Sequence, residues 1–429
     1  MTRLLHLTTT PVSLDWLLGP QLEAFASAGY EVVTASAPGD HVENLVSRGI
    51  AHHRLESFTR SVDLASDLRS IAELRELLIR LQPDILHTHN PKPGVLGRVV
   101  GRWSRIPVVL NTVHGLYAQK DDGFVRRAAV YGAERFAAAH SDAELVQNIE
   151  DVETLRWLGI DEQRIHLLGN GIDLDTFAPN PSRARAARCL RIQLGIPFPT
   201  VVVGIVGRLV WEKGYGEFFD AIKILRRRFS SDQVAFVVCG PAESGHADGV
   251  DPSSIEKMRQ NCGVHFLGQR SDIATVMSAF DVFALPSHRE GFPRAAMEAS
   301  AMGVPVVASN IRGCRQVVEH QKTGLLVRAH RPHHLALALE RLVTSPALRT
   351  QMGRAGRTKA IAEFDQRQVI DTTLSVYEML LREKGLPVPA QVVVPEAPWY
   401  ADSINLVERD ASNLDDPASD ASAIDVRSA

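Results

Sequence analysis

Two carboxylates, Glu290 and Glu298, stand eight positions apart in the segment Ser287-His288-Arg289-Glu290-Gly291-Phe292-Pro293-Arg294-Ala295-Ala296-Met297-Glu298. The stretch before it, Asp281 to Pro286, is apolar and strand-like in composition. Pro293 suits the first turn of a helix, where a missing N–H costs nothing. Ala295 to Met302 has high helix propensity, Gly303 stops the helix, and Val304 to Ala308 reads as the next buried strand. This order of strand, loop, helix and strand puts Glu290 in the loop and Glu298 between one and two turns into the helix. The free amides of Gly291 and Phe292, with the positive helix end, would face an anion. Two carboxylates beside a phosphate site call for a ligand that carries hydroxyls as well as negative charge, and a nucleotide sugar is such a ligand. The plainer alternative is a solvated loop glutamate plus one favoured by the helix dipole.

A second segment, Val201 to Gly214, runs from a buried strand through Gly207, Arg208 and Lys213 into a helix expected from Tyr215 to Arg228. Arginine offers a planar fork for phosphate oxygens and lysine a mobile point charge, so Arg208 and Lys213 together can neutralise a diphosphate leaving group. In the first half, His114 ends an apolar run, and Gly115 after it lets the backbone approach a ligand closely. His87 and His89 share one strand face because the side-chain period is two. They resemble two metal ligands without a third, so no metal site is expected there. Asp121-Asp122 is not an Asp-X-Asp metal motif either.

The elements that must position these residues alternate apolar runs with amphipathic ones. Strands are expected at Leu4 to Thr8, Glu31 to Ala35, Ile85 to Thr88, Val108 to Thr112 and Ala143 to Val146, with helices such as Pro20 to Ala28 and Asp67 to Leu81 between them. In the second half they fall at Val201 to Val206, Val234 to Cys239, Val264 to Leu267, Val282 to Leu285, Val304 to Ala308 and Leu325 to Val327. This is a doubly wound α/β pattern.

With Gly207-Arg208-Leu209, Glu212-Lys213-Gly214, Asn170-Gly171-Ile172-Asp173, Gly268-Gln269-Arg270-Ser271-Asp272-Ile273, His87-Thr88-His89-Asn90-Pro91-Lys92 and Thr112-Val113-His114-Gly115 added to the Glu290 to Glu298 spacing, the chain resembles a retaining glycosyltransferase of family 4. The likeness covers about residues 1 to 380 and is greatest to capsule and exopolysaccharide enzymes that elongate lipid-linked sugars. It implies the GT-B fold, two Rossmann-like domains facing a central cleft with a C-terminal helix crossing back to the first. The domains would then be an acceptor domain at 1–170, a nucleotide-sugar domain at 171–364, the crossover helix at 365–384 and an acidic tail at 385–429.

The resemblance implies a hexose or N-acetylhexosamine moved from a nucleotide-diphosphate sugar, a UDP-sugar first, to a polyprenyl-diphosphate-linked saccharide. In that role Glu298 binds ribose hydroxyls, Glu290 and His114 face the donor sugar, and Arg208, Lys213 and the amides of Gly291 and Phe292 hold the diphosphate. Gly240, Gln269 and Arg270 follow strand ends near the base. Retention by front-face attack needs neither a protein general base nor a metal, so no cofactor is expected. Pro293 stands where the family motif often has glycine, a mark of capsule-type members. Many relatives carry a glycine pair in the first strand-to-helix loop. Here Thr10-Pro11-Val12-Ser13-Leu14 replaces it, which favours acceptor contact over phosphate contact.

The chain has 429 residues, an ordinary apolar fraction and a formal net charge of −3, so two or three domains and no polyanion partner are expected. Cys189, Cys239, Cys262 and Cys314 have no paired spacing, and buried reduced thiols are the default. No secretion signal and no spanning segment stands out, so a cytoplasmic protein, at most peripheral on the inner membrane face, is expected. Arg98, Arg102 and Arg105 with Trp103 read first as a surface helix with a solvated basic face, with a surface fit for a headgroup layer as the alternative. From Ala401 to Ala429 seven acidic and two basic residues give a local charge of −5, and disorder is expected there. The competing functions are transfer to a soluble acceptor, a GT-B-fold epimerase or hydrolase acting on a UDP-sugar, and a non-catalytic nucleotide-sugar-binding subunit.

Overall fold

The structure, a computed structural model, describes residues 1–59, 63–89, 91–118, 122–243 and 245–390. Asn90, Asp121, Trp399, Tyr400 and the tail from Ala401 lie outside the described residues. Two parallel sheets organise the chain. The first holds β1 (Arg3–Leu7), β2 (Glu31–Ser36), β3 (Ala51–Arg54), β4 (Ile85–His89), β5 (Val108–Val113), β6 (Ala143–Val146) and β7 (Ile165–Leu167), in the order β3-β2-β1-β4-β5-β6-β7. The second holds β8 (Val201–Val206), β9 (Val234–Cys239), β10 (Val264–Phe266), β11 (Val282–Leu285), β12 (Val306–Ser309) and β13 (Gly324–Val327), in the order β10-β9-β8-β11-β12-β13.

These runs become strands because helices cover both faces, so the chain needs β-branched and aliphatic residues on each side rather than an alternation. Val234–Cys239 is buried at every position. In each sheet the strand order reverses once, between β1 and β4 and between β8 and β11. The loops leaving the carboxyl ends of strands at such a reversal form the crevice of an open α/β sheet.

The last described helix, Gln366–Glu383, does not pack on the second sheet, which it follows in sequence. Its Val369, Val376, Tyr377, Leu380 and Leu381 enter the core of the first sheet with Leu4, Phe25, Ile85 and Leu110. The crossing is pinned where Ile172 N donates to Phe364 O at 2.9 Å and Gln366 N donates to Ile172 O at 3.1 Å. The GT-B architecture with its returning helix is therefore present.

Two short strands, β3 and β7, were not expected from sequence. Ala-His-His-Arg and Ile-His-Leu have too few apolar residues to announce themselves, and as edge strands they need only one neighbour. A second departure is larger. The Arg98-to-Arg105 surface is not available to a membrane, because Arg98 is 1 % exposed and Val99 and Val100 are buried beside it. Arg98 Nη1 lies 2.7 Å from Glu144 Oε1 and 2.8 Å from Glu134 Oε1, and its Nε donates to Gly94 O. Arg102 pairs with Asp142 at 3.0 Å. A guanidinium buried with two carboxylates is structural, and removing either side would leave an uncompensated buried charge. Of that stretch only Trp103 and Arg105 are exposed.

Candidate active site

The crevice is built from strand ends of both sheets. Beyond β8 come Arg208 and a short 3-10 turn, Trp211–Lys213, ended by Gly214 in the left-handed region before the Tyr215–Arg226 helix begins. Beyond β11 comes the Ser287 to Pro293 loop, with Pro293 as N-cap of the Arg294–Ala301 helix. These two loops meet where Lys213 Nζ lies 2.7 Å from Glu290 Oε1, and the same oxygen accepts from Ser287 Oγ at 2.8 Å. His288 N donates to Glu212 O at 2.9 Å and ties the loops again through backbone. A cation and a carboxylate are thus fixed on rigid supports, each with little freedom to lose on meeting a ligand.

Gly291 has a steric reason. A Cβ there would stand 2.0 Å from His114 O, and one on Gly115 would stand 2.8 Å from Gly291 Cα, so the two sheets' loops touch backbone to backbone. The approach is held by contacts across the crevice. Asn148 Nδ2 donates to Gly291 O at 3.4 Å, Asn170 Nδ2 to Phe292 O at 3.3 Å, Arg294 Nη1 to Trp16 O at 3.1 Å and Arg312 Nη2 to Leu116 O at 2.7 Å. Arg312 also pairs with Asp151 at 2.7 Å, and Arg315 grips Glu150 with two bonds of 2.9 and 2.8 Å. Sequence reasoning passed over Asn148, Arg312 and Arg315. Their partners lie more than a hundred positions away, and no local spacing links them.

A cavity of about 940 Å³ opens from this junction into the first sheet's side. Arg208 enters it from the second sheet, facing Thr10, Ser13, His114 and Gly115 from the first. The Pro91–Trp103 helix contributes Val95 and Leu96 and the Phe124–Ala138 helix Ala129, Val130 and Ala133, with the charged Lys92, Arg98 and Glu134 of the same helices among them. Arg208 keeps one loose ion pair, with Glu243 at 3.6 Å, and is half-exposed.

Glu298 stands one turn into its helix, away from that cavity, and burial raises its carboxyl above the usual range while Arg294 works the other way. Gly240, with φ +150, places its α-carbon so near β8 that a Cβ would lie 1.9 Å from Gly207 O, and its amide donates to Gly268 O. It therefore packs the strand ends under Arg208. Gln269 and Arg270 sit on the neighbouring loop, where Arg270 forks onto Asp272 with two bonds of 2.8 Å. Phe292 turns its ring edge-on to Phe364, with centroids 5.9 Å apart.

His114 ends a buried chain that the sequence did not reveal. His89 Nδ1 lies 3.1 Å from His114 Nε2, and His89 Nε2 lies 2.9 Å from His6 Nδ1. Tyr377 Oη of the crossover helix sits 3.4 Å from His6 Nε2 and 2.5 Å from His87 Nδ1, whose Nε2 meets Thr112 Oγ1 at 2.7 Å. Burial lowers His6 to about 3 and His114 to about 4, the latter opposed by a hydrogen bond to Gln147. Burial and then neighbouring imidazoles push His87 and His89 well below their ordinary value. The four rings are neutral at pH 7. The third partner of His87 and His89 is thus His6 on β1, opposite His87 in register.

Comparisons with known proteins bear on the family and the fold. Residues 18–171 match the family described as glycosyl transferase 4-like domain, and residues 190–359 match glycosyl transferases group 1. The chain is 30 % identical over 320 residues, 74 % of its own length and 81 % of the relative's, to the UDP-Gal:alpha-D-GlcNAc-diphosphoundecaprenol alpha-1,3-galactosyltransferase of Escherichia coli. It is 33 % identical over 316 residues, 70 % of its length and 73 % of the relative's, to the D-inositol 3-phosphate glycosyltransferase of Xylanimonas cellulosilytica. The crystal structure of Anabaena Alr3699/HepE in complex with UDP shares its fold, with a TM-score of 0.72, 21 % identity, and coverage of 89 % of this chain and 100 % of that one. Both halves of the sequence and the two-sheet architecture lead to one assignment: the chain belongs to the group 1 and family 4-like glycosyltransferases.

Proposed function

We propose that the protein is a retaining transferase that moves a hexose or N-acetylhexosamine from a UDP-sugar to a polyprenyl-diphosphate-linked saccharide in cell-surface polysaccharide synthesis, working at the inner face of the membrane. The observation that carries this is the junction where the Lys213–Glu290 pair and the Gly291 backbone meet His114, with Arg208 entering the adjoining cavity. In glycosyl transfer the sugar ring gains positive charge and the leaving diphosphate gains negative charge. Arg208, Lys213 and the amides of Gly291 and Phe292 stabilise the diphosphate, Glu290 and His114 face the donor sugar, and Glu298 takes the ribose hydroxyls. Gly240, Gln269 and Arg270 shape the wall beside the base. The C1–O bond to the diphosphate breaks, the acceptor oxygen bonds to C1 from the same face, and its proton passes to a donor phosphate oxygen. No metal and no protein base takes part.

Two features support a lipid-linked acceptor over a soluble one such as an inositol phosphate. The cavity carries an apolar patch of Val95, Leu96, Ala129, Val130 and Ala133. The Phe124–Ala138 helix that supplies it also exposes Phe124 (76 %), Val125 (80 %) and Phe136 (57 %), with Arg126 and Arg135 beside them. That mixture suits an anionic bilayer surface, and it takes over the role expected for Arg98 to Arg105. Among the described residues no helix is long and apolar enough to cross a membrane. Calorimetry with UDP and steady-state kinetics test the assignment of the carboxylates: Glu298→Ala should weaken UDP binding, whereas Glu290→Ala should mainly lower turnover. Equal loss of UDP affinity in both variants would contradict it. Efficient glycosylation of a soluble sugar phosphate, with indifference to a lipid-linked saccharide, would replace the acceptor class.

A further inference from the structure

On the second domain, three side chains from three separate loops converge outside the cavity. Glu217 lies in the first turn of the Tyr215–Arg226 helix, His288 in the loop after β11, and His330 in the loop after β13. His288 Nε2 lies 3.0 Å from Glu217 Oε1, and His330 Nδ1 lies 3.3 Å from the same oxygen. All three ligand atoms fall within 4.8 Å of one another, and the two imidazoles are tilted with centroids 4.0 Å apart. A zinc ion with bonds of about 2.0 Å in a tetrahedron separates its ligand atoms by about 3.3 Å. The two separations to Glu217, 3.0 and 3.3 Å, are close to that with no ion included.

We propose that Glu217, His288 and His330 form a divalent transition-metal site, with zinc as the fitting ion, that braces the loop carrying Glu290. Two imidazoles and one carboxylate select zinc, cobalt or nickel over the hard oxygen-seeking cations. One carboxylate offsets half of the ion's charge, and the site is partly open, so water completes the shell. His330 holds φ +56, a left-handed backbone uncommon outside glycine though histidine is among the types that adopt it, and its side chain is 64 % exposed. His288 stands two positions before Glu290, and its amide is bound to Glu212 O in the turn that carries Lys213. An ion here ties the Tyr215–Arg226 helix, the Glu290 loop and the loop after β13 together without touching the cavity.

The other convergent trio, His6, His87 and His89, is the weaker candidate. All six of its ring nitrogens already have partners, and the groups bonded to them are imidazoles, Thr112 and Tyr377, with no carboxylate to compensate a buried dication. The site proposed here stands whether or not the donor is a UDP-sugar.

Equilibrium dialysis of the full chain against Co²⁺ and Zn²⁺, with visible absorption of the cobalt form, tests it. Wild type should take up one ion per chain, show cobalt bands of a tetrahedral site, and melt at a higher temperature with zinc. His330→Asn, which tolerates the left-handed backbone, and His288→Ala should each weaken uptake at least about tenfold and lose the zinc-dependent melting shift. Wild type without stoichiometric uptake at micromolar metal would overturn the proposal. So would uptake that survives His330→Asn and His288→Ala but disappears in His6→Gln, which would move the ion to the buried trio.

Discussion

The buried histidine chain makes the fold acid-labile over a defined range. In the native state His6 is lowered to about 3 and His114 to about 4 by burial, and His87 and His89 lie well below 6.5. In the unfolded chain each titrates near 6.5. A base whose folded pKa is depressed contributes stability that is complete above the unfolded value and is lost as pH falls below it, because the unfolded state binds protons that the native state refuses. Between pH 7 and pH 5.5 each such residue costs about 1.3 kcal/mol, or about 5 kcal/mol for four. Asp151 acts in the opposite sense. Burial raises its carboxyl to about 6, against the pull of Arg312, so native-state protonation returns about 1 kcal/mol over the same interval. These five groups together give a fall of about 4 kcal/mol, a large part of an ordinary domain stability of about 5 to 15 kcal/mol.

Urea unfolding followed by tryptophan fluorescence at pH 7, 6.5, 6 and 5.5 measures the effect. The steep part of the curve should approach a slope of about 4 kcal/mol per pH unit, about three protons' worth, since the unfolded chain takes up nearly four protons on the rings while native Asp151 takes up most of one. His87→Gln should be less stable at pH 7 yet shallower in slope by about one proton. A fall smaller than about 1.5 kcal/mol between pH 7 and 5.5 would refute the neutral chain, since it would mean that the rings accept protons in place. An unchanged slope in His87→Gln would refute its part in that chain.

Three further outcomes follow from the crevice. Lys213→Ala and Arg208→Ala should each slow transfer at least about a hundredfold, the usual scale for losing one preorganised charge stabiliser, and near-normal turnover in both would sink the diphosphate assignment. Gly291→Ala must push the Glu290 loop from His114 O, which its Cβ would otherwise approach to 2.0 Å; displacement of about an ångström predicts about a hundredfold lower turnover, checked by steady-state kinetics beside the melting temperature. Phe124→Glu with Val125→Glu should abolish co-sedimentation with anionic vesicles while UDP affinity stays within about twofold, and persistent vesicle binding would remove that helix from the membrane contact.

Local periodicity made the central strands legible, because Val201–Val206, Val234–Cys239 and Val282–Leu285 are buried on both faces and read as unbroken apolar runs. The Glu290 loop and its helix were legible for the same reason: strand, glycine, proline and helix formers follow one another within about twenty residues. The fate of Arg98 was not. Three arginines with a tryptophan on a helix look like a solvated or membrane face until the strand carrying Glu144 and the helix carrying Glu134 arrive from elsewhere in the chain. Nor could His87 and His89 disclose that His6 and Tyr377 complete their contacts, since Tyr377 is 290 positions from His87 and reaches it only through the crossover helix. What sequence shows is the element that presents a side chain. What it hides is the partner supplied by topology.

That topology also separates the two halves of the proposed reaction. Arg208, Lys213, Gly240, Arg270, Glu290 and Glu298 hang from β8 to β11 and the helix after β11, whereas the cavity wall opposite Arg208 comes from the loop after β1 and the helices that follow β4 and β5. A change of acceptor therefore requires new side chains on the Pro91–Trp103 and Phe124–Ala138 helices, far from the Lys213–Glu290 pair. Those helices rest on Arg98, which joins both of them to β6 through Glu134 and Glu144. The buried ion network fixes where the wall stands, and the exposed small and aromatic residues of the Phe124–Ala138 helix decide what it meets. Under this division, exchanging Ala129 and Ala133 for larger residues should alter the acceptor KM and leave the UDP affinity where it was.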